Sequence, residues 1–226
     1  GPAAAAAGTA TALTAAAVAG GRDAGYGLVV SAGIGGGFLP GFGSTVAGGL
    51  HDGREVDEVA DVATGTAGGA DSGRPVERSG LCMGGAVVSR KIVAADLGAQ
   101  TAEGGFLPVT ELGFGTSEHH SPDRLAYAVA VATGGVLGDV LTVTTATGTA
   151  DRARELTGRH PEAAAEGMEG FGVAEAAAAH GVPVLELRTV SNAVGPRDRG
   201  SWAIPGALEG LRGVFRGGAE VLVGWE

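Results

Sequence analysis

The sequence predicts an α/β fold in which a single domain is built on a central mixed, mostly parallel sheet flanked by helices. Three observations lead there. Short uninterrupted apolar runs bounded by glycine recur along the chain, as expected of strands buried on both faces of a sheet. Stretches of helical length and composition alternate with them. At 226 residues the chain is long enough for one such core and short for two.

The elements follow in order. Pro2 to Ala19 is dominated by Ala, Thr and Leu and runs into Gly20-Gly21, so the chain opens on a helix with a glycine stop. Tyr26 to Ser31 is a buried strand, and Gly33 to Gly37 reads as a tight turn after it. From about Leu39 to Gly85 the chain turns polar and glycine-rich, with one weakly periodic piece at Val56 to Val62, and no element is assigned. Ala86 to Ala95 reads as a strand, Pro122 to Thr133 as a helix and Asp139 to Thr145 as a second buried strand. Helices are expected at Ala150 to Arg159 and Glu169 to His180, a strand at Val182 to Val190, and a last helix at Ile204 to Phe215.

Composition removes several function classes. A net charge of −10 argues against a nucleic-acid partner, because phosphate-backbone binding needs a basic surface that releases counterions. The single cysteine, Cys82, leaves no internal disulfide framework and fits a reducing compartment. No uncharged apolar stretch reaches about 18 residues, and no basic region precedes the N-terminal alanines, so a soluble cytoplasmic protein without a membrane partner is expected.

The local motifs are weighed against plainer readings. Gly33 to Gly37 lacks the third dinucleotide-fingerprint glycine, where Phe38 stands, and no acidic ribose partner follows at the usual spacing. No Gly-Lys-Ser/Thr loop and no G-x-S-x-G elbow occurs. What remains is a glycine turn that brings backbone N–H groups near an oxygen-rich ligand, or a structural turn alone. His119-His120 reads as a solvated loop pair, since ligand spacing to other metal-binding side chains is missing; no metal is expected. Cys82 reads as a bystander. Glu166 to Gly172 opens a helix with acidic residues where the dipole favours them. About a dozen residues on, a strand ends in Ser191-Asn192 and an Arg-rich loop with Arg197, Arg199 and Trp202. The carboxyl end of a strand in an open α/β sheet is where ligands bind, which makes this loop a candidate site.

Here a resemblance becomes specific. The Met168-Glu169-Gly170 helix start, the Arg188 to Asn192 strand end and the glycines after Tyr26 to Gly33 resemble signature segments of methylthioadenosine/adenosylhomocysteine nucleosidases and purine nucleoside phosphorylases. Ile92 to Gly115 and Asn192 to Arg199 with the nearby Trp202 are similar to the futalosine hydrolase branch. The resemblance covers residues 1 to about 37 and 86 to 215. It implies a phosphorylase/nucleosidase-like fold, a homo-oligomer, no metal or organic cofactor, and release of hypoxanthine from futalosine in menaquinone biosynthesis.

The resemblance also implies roles. Glu169 would bind the ribose hydroxyls with Met168 against the sugar, because N-glycosidic cleavage builds oxocarbenium character that such hydrogen bonds stabilise. Asn192 would face the purine, its amide matching O6 and N7–H of hypoxanthine. Trp202 with Arg197 or Arg199 would hold the aromatic carboxylate of futalosine. Gly35, Gly36, Phe106, Thr147 and Gly148 complete the implied substrate contacts. Relatives begin with strands ahead of the first helix, the first of which supplies a water-activating Glu; here Gly1-Pro2 stands at what resembles that helix, and Glu55 or Glu58 is a distant candidate. Another purine nucleosidase or a phosphorylase, and a nucleoside-binding protein that kept the pocket without the chemistry, are the alternatives.

Overall fold

In a computed structural model of the chain, the described residues are 1–20, 26–40 and 74–225. Most of the polar block, including Glu55, Glu58 and the Val56 to Val62 piece, lies outside them.

Helix α1 spans Pro2–Gly20 and packs on a later helix, α4 (Gly170–Ala179). Strand β1 spans Val29–Gly37, β2 Ala86–Ala94, and the short strands β3 (Gly98–Gln100) and β4 (Phe106–Pro108) form a separate two-stranded arm. There follow β5 (Glu118–His120), α2 (Asp123–Thr133), β6 (Val136–Thr142), α3 (Ala150–Arg159), β7 (Ala163–Gly167), α4, β8 (Val184–Ala193) and α5 (Ile204–Val223). Gly134, in the left-handed region at φ 61°, ends α2, as an achiral residue can without strain.

The main sheet runs β5-β2-β6-β7-β1-β8, and β2 also pairs with β8, so the sheet returns on itself. The β2–β6, β6–β7 and β1–β8 pairs are parallel; β1–β7, β2–β5 and β2–β8 are antiparallel. The mixed α/β expectation therefore holds. One core group joins Val88 of β2 and Leu185 and Leu187 of β8 to Leu125 and Val129 of α2 and Val214 of α5. Another sets Ile92 of β2 and Val184 of β8 against Phe171, Val173, Ala174 and Ala177 of α4.

Three local expectations are corrected. Gly33 to Gly37 is no turn: β1 runs straight through it, in parallel register with β8 from Val29 opposite Val184 to Gly37 opposite Ala193. Glu166 does not open a helix but lies in β7, leaving Glu169 as the residue before α4. His119 is not a solvated loop residue; it sits in β5 with its side chain 16% exposed and its Nε2 2.7 Å from Glu175 of α4. His120 beside it points outward, 66% exposed, as alternation on a strand requires.

Candidate active site

The parallel register of β1 and β8 builds the site. Opposite Gly33 stands Arg188, opposite Gly35 Val190, and after a bulge Gly36 faces Asn192. A Cβ on Gly33 would lie 2.6 Å from Arg188 Nη1, and one on Gly167 2.9 Å from Arg188 Cζ. The glycines that read as a turn are instead strand positions without room for a side chain, and Gly33 is the one vacated for the buried guanidinium. Arg188 is fixed there by three bonds: Nε donates to Glu186 Oε1 at 2.7 Å, Nη1 to the Ile34 carbonyl at 3.0 Å and Nη2 to Glu169 Oε2 at 3.1 Å. Burial alone would lower the Arg188 pKa, but Glu186 and Glu169 outweigh it and raise it.

Glu169 occupies the N-cap position of α4 yet makes no side-chain cap. The Phe171 N–H that a cap would serve is bonded instead to Thr142 Oγ1 at 2.9 Å, in a buried contact from β6. The helix end is thus satisfied by a threonine, and the Glu169 carboxylate, 43% exposed, is not consumed by it. Its Oε2 takes Arg188 and, at 3.3 Å, the Met168 N–H; among the described residues Oε1 accepts no hydrogen bond and has a longer ion-pair contact with the Gly1 amino group at 3.7 Å.

Asn192 is half-buried near the end of β8. Ser191 Oγ lies 2.9 Å from Asn192 Oδ1 and 3.1 Å from the Gly35 carbonyl, and its one proton serves one of them; Asn192 Nδ2 donates to the Ala193 carbonyl at 2.9 Å. One N–H of the amide and a lone pair on its oxygen remain for a ligand. The loop that follows is pinned to the same strand end, since the Ala203 N–H donates to the Ser191 carbonyl at 2.8 Å. On this loop the guanidinium carbons of Arg197 and Arg199 lie 5.7 and 6.0 Å from the Trp202 ring centroid, so these three side chains are gathered as a group.

Thr147, in the loop after β6, donates from its N–H to Glu166 Oε1 at 2.9 Å and from its hydroxyl to Glu166 Oε2. Burial pushes the Glu166 carboxyl up, against the pull of those two bonds. A Cβ on Gly35 would lie 2.4 Å from the Glu166 carbonyl oxygen, which ties the Thr147 loop to the β1 end; Gly148 beside Thr147 has open space around it. The Arg159 guanidinium lies over the Phe106 ring, 4.3 Å from its centroid. Cys82 is exposed and free. Among the described residues no group of three His, Cys, Asp or Glu is arranged to hold a metal ion, and no helix is long and apolar enough to cross a membrane.

The sequence reading gave Glu186 no role, set Glu166 only at a helix start and Arg188 only in a strand end. The missed signal is the pair of opposite charges two apart in Val182 to Val190, on one face of a strand whose other residues are apolar or Thr.

No protein-family profile matches the chain. It is 57% identical over 175 residues to futalosine hydrolase of Streptomyces coelicolor, an alignment covering 77% of this chain and 70% of that protein. The chain belongs to the futalosine hydrolase family. A second member, from Acidothermus cellulolyticus, is 42% identical over 164 residues, and the chain spans 62% of its length. Among solved structures, 5′-methylthioadenosine/S-adenosylhomocysteine nucleosidase of Neisseria meningitidis superposes with a TM-score of 0.61 at 16% identity, covering 97% of this chain and 75% of that one. Native futalosine hydrolase of Helicobacter pylori gives 0.57 at 15% identity, covering 95% and 73%. At those identities the likeness is one of fold, and it is the fold of this futalosine hydrolase family member.

Proposed function

We propose that this chain hydrolyses the N-glycosidic bond of futalosine and releases hypoxanthine, a step of menaquinone biosynthesis. The 57% identity to the Streptomyces coelicolor futalosine hydrolase carries the reading. The uncapped carboxylate of Glu169, beside Met168, supports it. In the reaction the C1′–N bond breaks with its electron pair passing to the purine, the oxygen of water bonds C1′, and one proton of that water ends on the departing base. Glu169 accepts hydrogen bonds from the ribose hydroxyls, which become more acidic as the sugar turns cationic, so those bonds tighten toward the transition state. Asn192 offers its remaining N–H to O6 and its oxygen to N7–H. The Thr147-Gly148 loop and the Gly35-Gly36 backbone border the base, Met168 and Phe106 contact the substrate, and Trp202 with Arg197 and Arg199 takes its aromatic carboxylate. We further infer a single nucleosidase-like domain over 1–226, with the polar 39–85 segment within it, acting in the cytoplasm as a homo-oligomer.

The test is release of hypoxanthine from futalosine in phosphate-free buffer. Turnover that requires phosphate would make the protein a phosphorylase, and tight hypoxanthine binding without turnover would make it a binding protein.

Substitutions at Asn192 and at either arginine test the pocket. Wild type is expected to prefer hypoxanthine- over adenine-bearing nucleosides by about tenfold or more, since a 6-amino group leaves a polar atom unpaired against the amide at roughly 1–3 kcal/mol. Asn192→Asp shrinks or inverts that ratio, because a carboxyl group shares a proton with N7 and accepts from the amine. An unchanged ratio in the folded variant would reduce Asn192 to a loop cap. Arg197→Ala or Arg199→Ala should raise KM for futalosine several-fold and leave inosine hydrolysis nearly unchanged, because inosine lacks the carboxylate. Equal loss on both substrates rules out the assignment.

A further inference from the structure

Arg188 faces two carboxylates and divides itself between them. Glu186 is fully buried; its Oε1 takes Arg188 Nε, and its Oε2 has no hydrogen-bond partner among the described residues. The carboxylate is lodged against the start of α4, where a Cβ on Gly170 would sit 2.0 Å from Oε2. With Nε held by Glu186 and Nη1 by the Ile34 carbonyl, only Nη2 reaches Glu169, at a single oxygen. A guanidinium otherwise closes on a carboxylate as a two-pronged fork, occupying both oxygens.

We propose that Glu186 is a positioning residue: by engaging Nε it keeps Arg188 from forking onto Glu169, so that Glu169 is anchored through Oε2 while Oε1 is left to take a sugar hydroxyl. The inference rests on Glu169 being the ribose ligand. Glu186 itself touches no substrate. Its burial raises its own pKa, and Arg188 pulls the other way, in keeping with a carboxylate held by one partner in a closed slot.

The experiment compares binding of inosine and 2′-deoxyinosine by calorimetry, with futalosine kcat and KM measured alongside. In wild type the ribonucleoside should bind about tenfold tighter, the worth of one charge-assisted hydrogen bond. Glu186→Leu fills the slot with an apolar group of similar volume and leaves one charge of each sign, Arg188 and Glu169, so the protein should fold. In it the ribose preference should fall to within about twofold of unity, and kcat on futalosine should drop more than KM changes. Glu186→Gln keeps an oxygen acceptor for Nε and should restore most of both. The proposal is overturned if Glu186→Leu retains the wild-type ribose preference, if Gln and Leu lose it equally, if wild type shows no such preference, or if both variants fail to fold, which would make Glu186 a core ion-pair partner only. If wild type hydrolyses no nucleoside, the functional reading fails, and the binding ratio still decides the role of Glu186.

Discussion

Glu169→Gln is expected to lower kcat on futalosine by about 10²-fold or more, the scale seen when one preorganised electrostatic contact to a transition state is removed. KM should move much less, since the lost interaction is one that strengthens only as positive charge develops on the sugar. The fold should survive. Glu169 is 43% exposed, the α4 N-terminus takes its bond from Thr142, and Arg188 keeps a one-to-one partner in Glu186. Steady-state kinetics on a purified variant whose melting temperature matches wild type measure this, and a kcat equal to wild type would remove Glu169 from the chemistry.

Arg188→Gln should instead act first on stability. The guanidinium is 5% exposed and stands between a fully buried carboxylate and a half-exposed one. Its loss leaves the Glu186 charge without a counterion in the core, a change that typically costs about 3–5 kcal/mol. For a chain of this size that is a fall in Tm of roughly 6–20 °C. The effect should depend on pH. In wild type, burial already raises the Glu186 pKa and Arg188 pulls it down; without Arg188, burial acts alone and the folded-state value rises further. A carboxyl with a raised folded-state pKa contributes stability that is present at acid pH and is lost as pH climbs through that value. The gap in Tm between variant and wild type should therefore widen from pH 5 to pH 8. A gap that is small or flat across that range would mean the Glu186 slot is wetter than its burial implies.

How much of this could be read from the sequence depends on what each signal encodes. The helix at Ala150 to Arg159 was legible because its boundary carries local chemistry, Thr149 capping it by accepting from the Arg152 N–H, and the helix after Glu169 was legible in its alanine-rich run. The long β8 strand was legible in its apolar run, although it continues three residues beyond Val190 into the site. Strand β7 was not. Ala163-Ala164-Ala165 has helix propensity, and only the bonds to β6 and β1 make it a strand. The glycine run failed for the complementary reason: a turn and a strand that must clear a bulky neighbour ask for the same residue, and the neighbour, Arg188, lies 155 positions downstream of Gly33. Within the site, Glu169, Asn192 and the Trp202 loop were accessible through the family resemblance. Glu186 was not, and Arg188 was visible only as the start of a signature strand end without a role, because the role of both is written in a cross-strand register that no short motif contains.

The vacated strand positions have a consequence for how the sequence can change. Gly33, Gly167 and Gly170 are empty because charged side chains fill the volumes their own would take. A methyl at any of them collides with Arg188 or Glu186, and a shorter residue at 188 leaves the volume unfilled and the Glu186 charge stranded. Residues 33, 167 and 170, in three separate segments of the chain, are thereby held as glycine by the long side chains at 186 and 188, and a side chain gained at one of them calls for a shorter neighbour there.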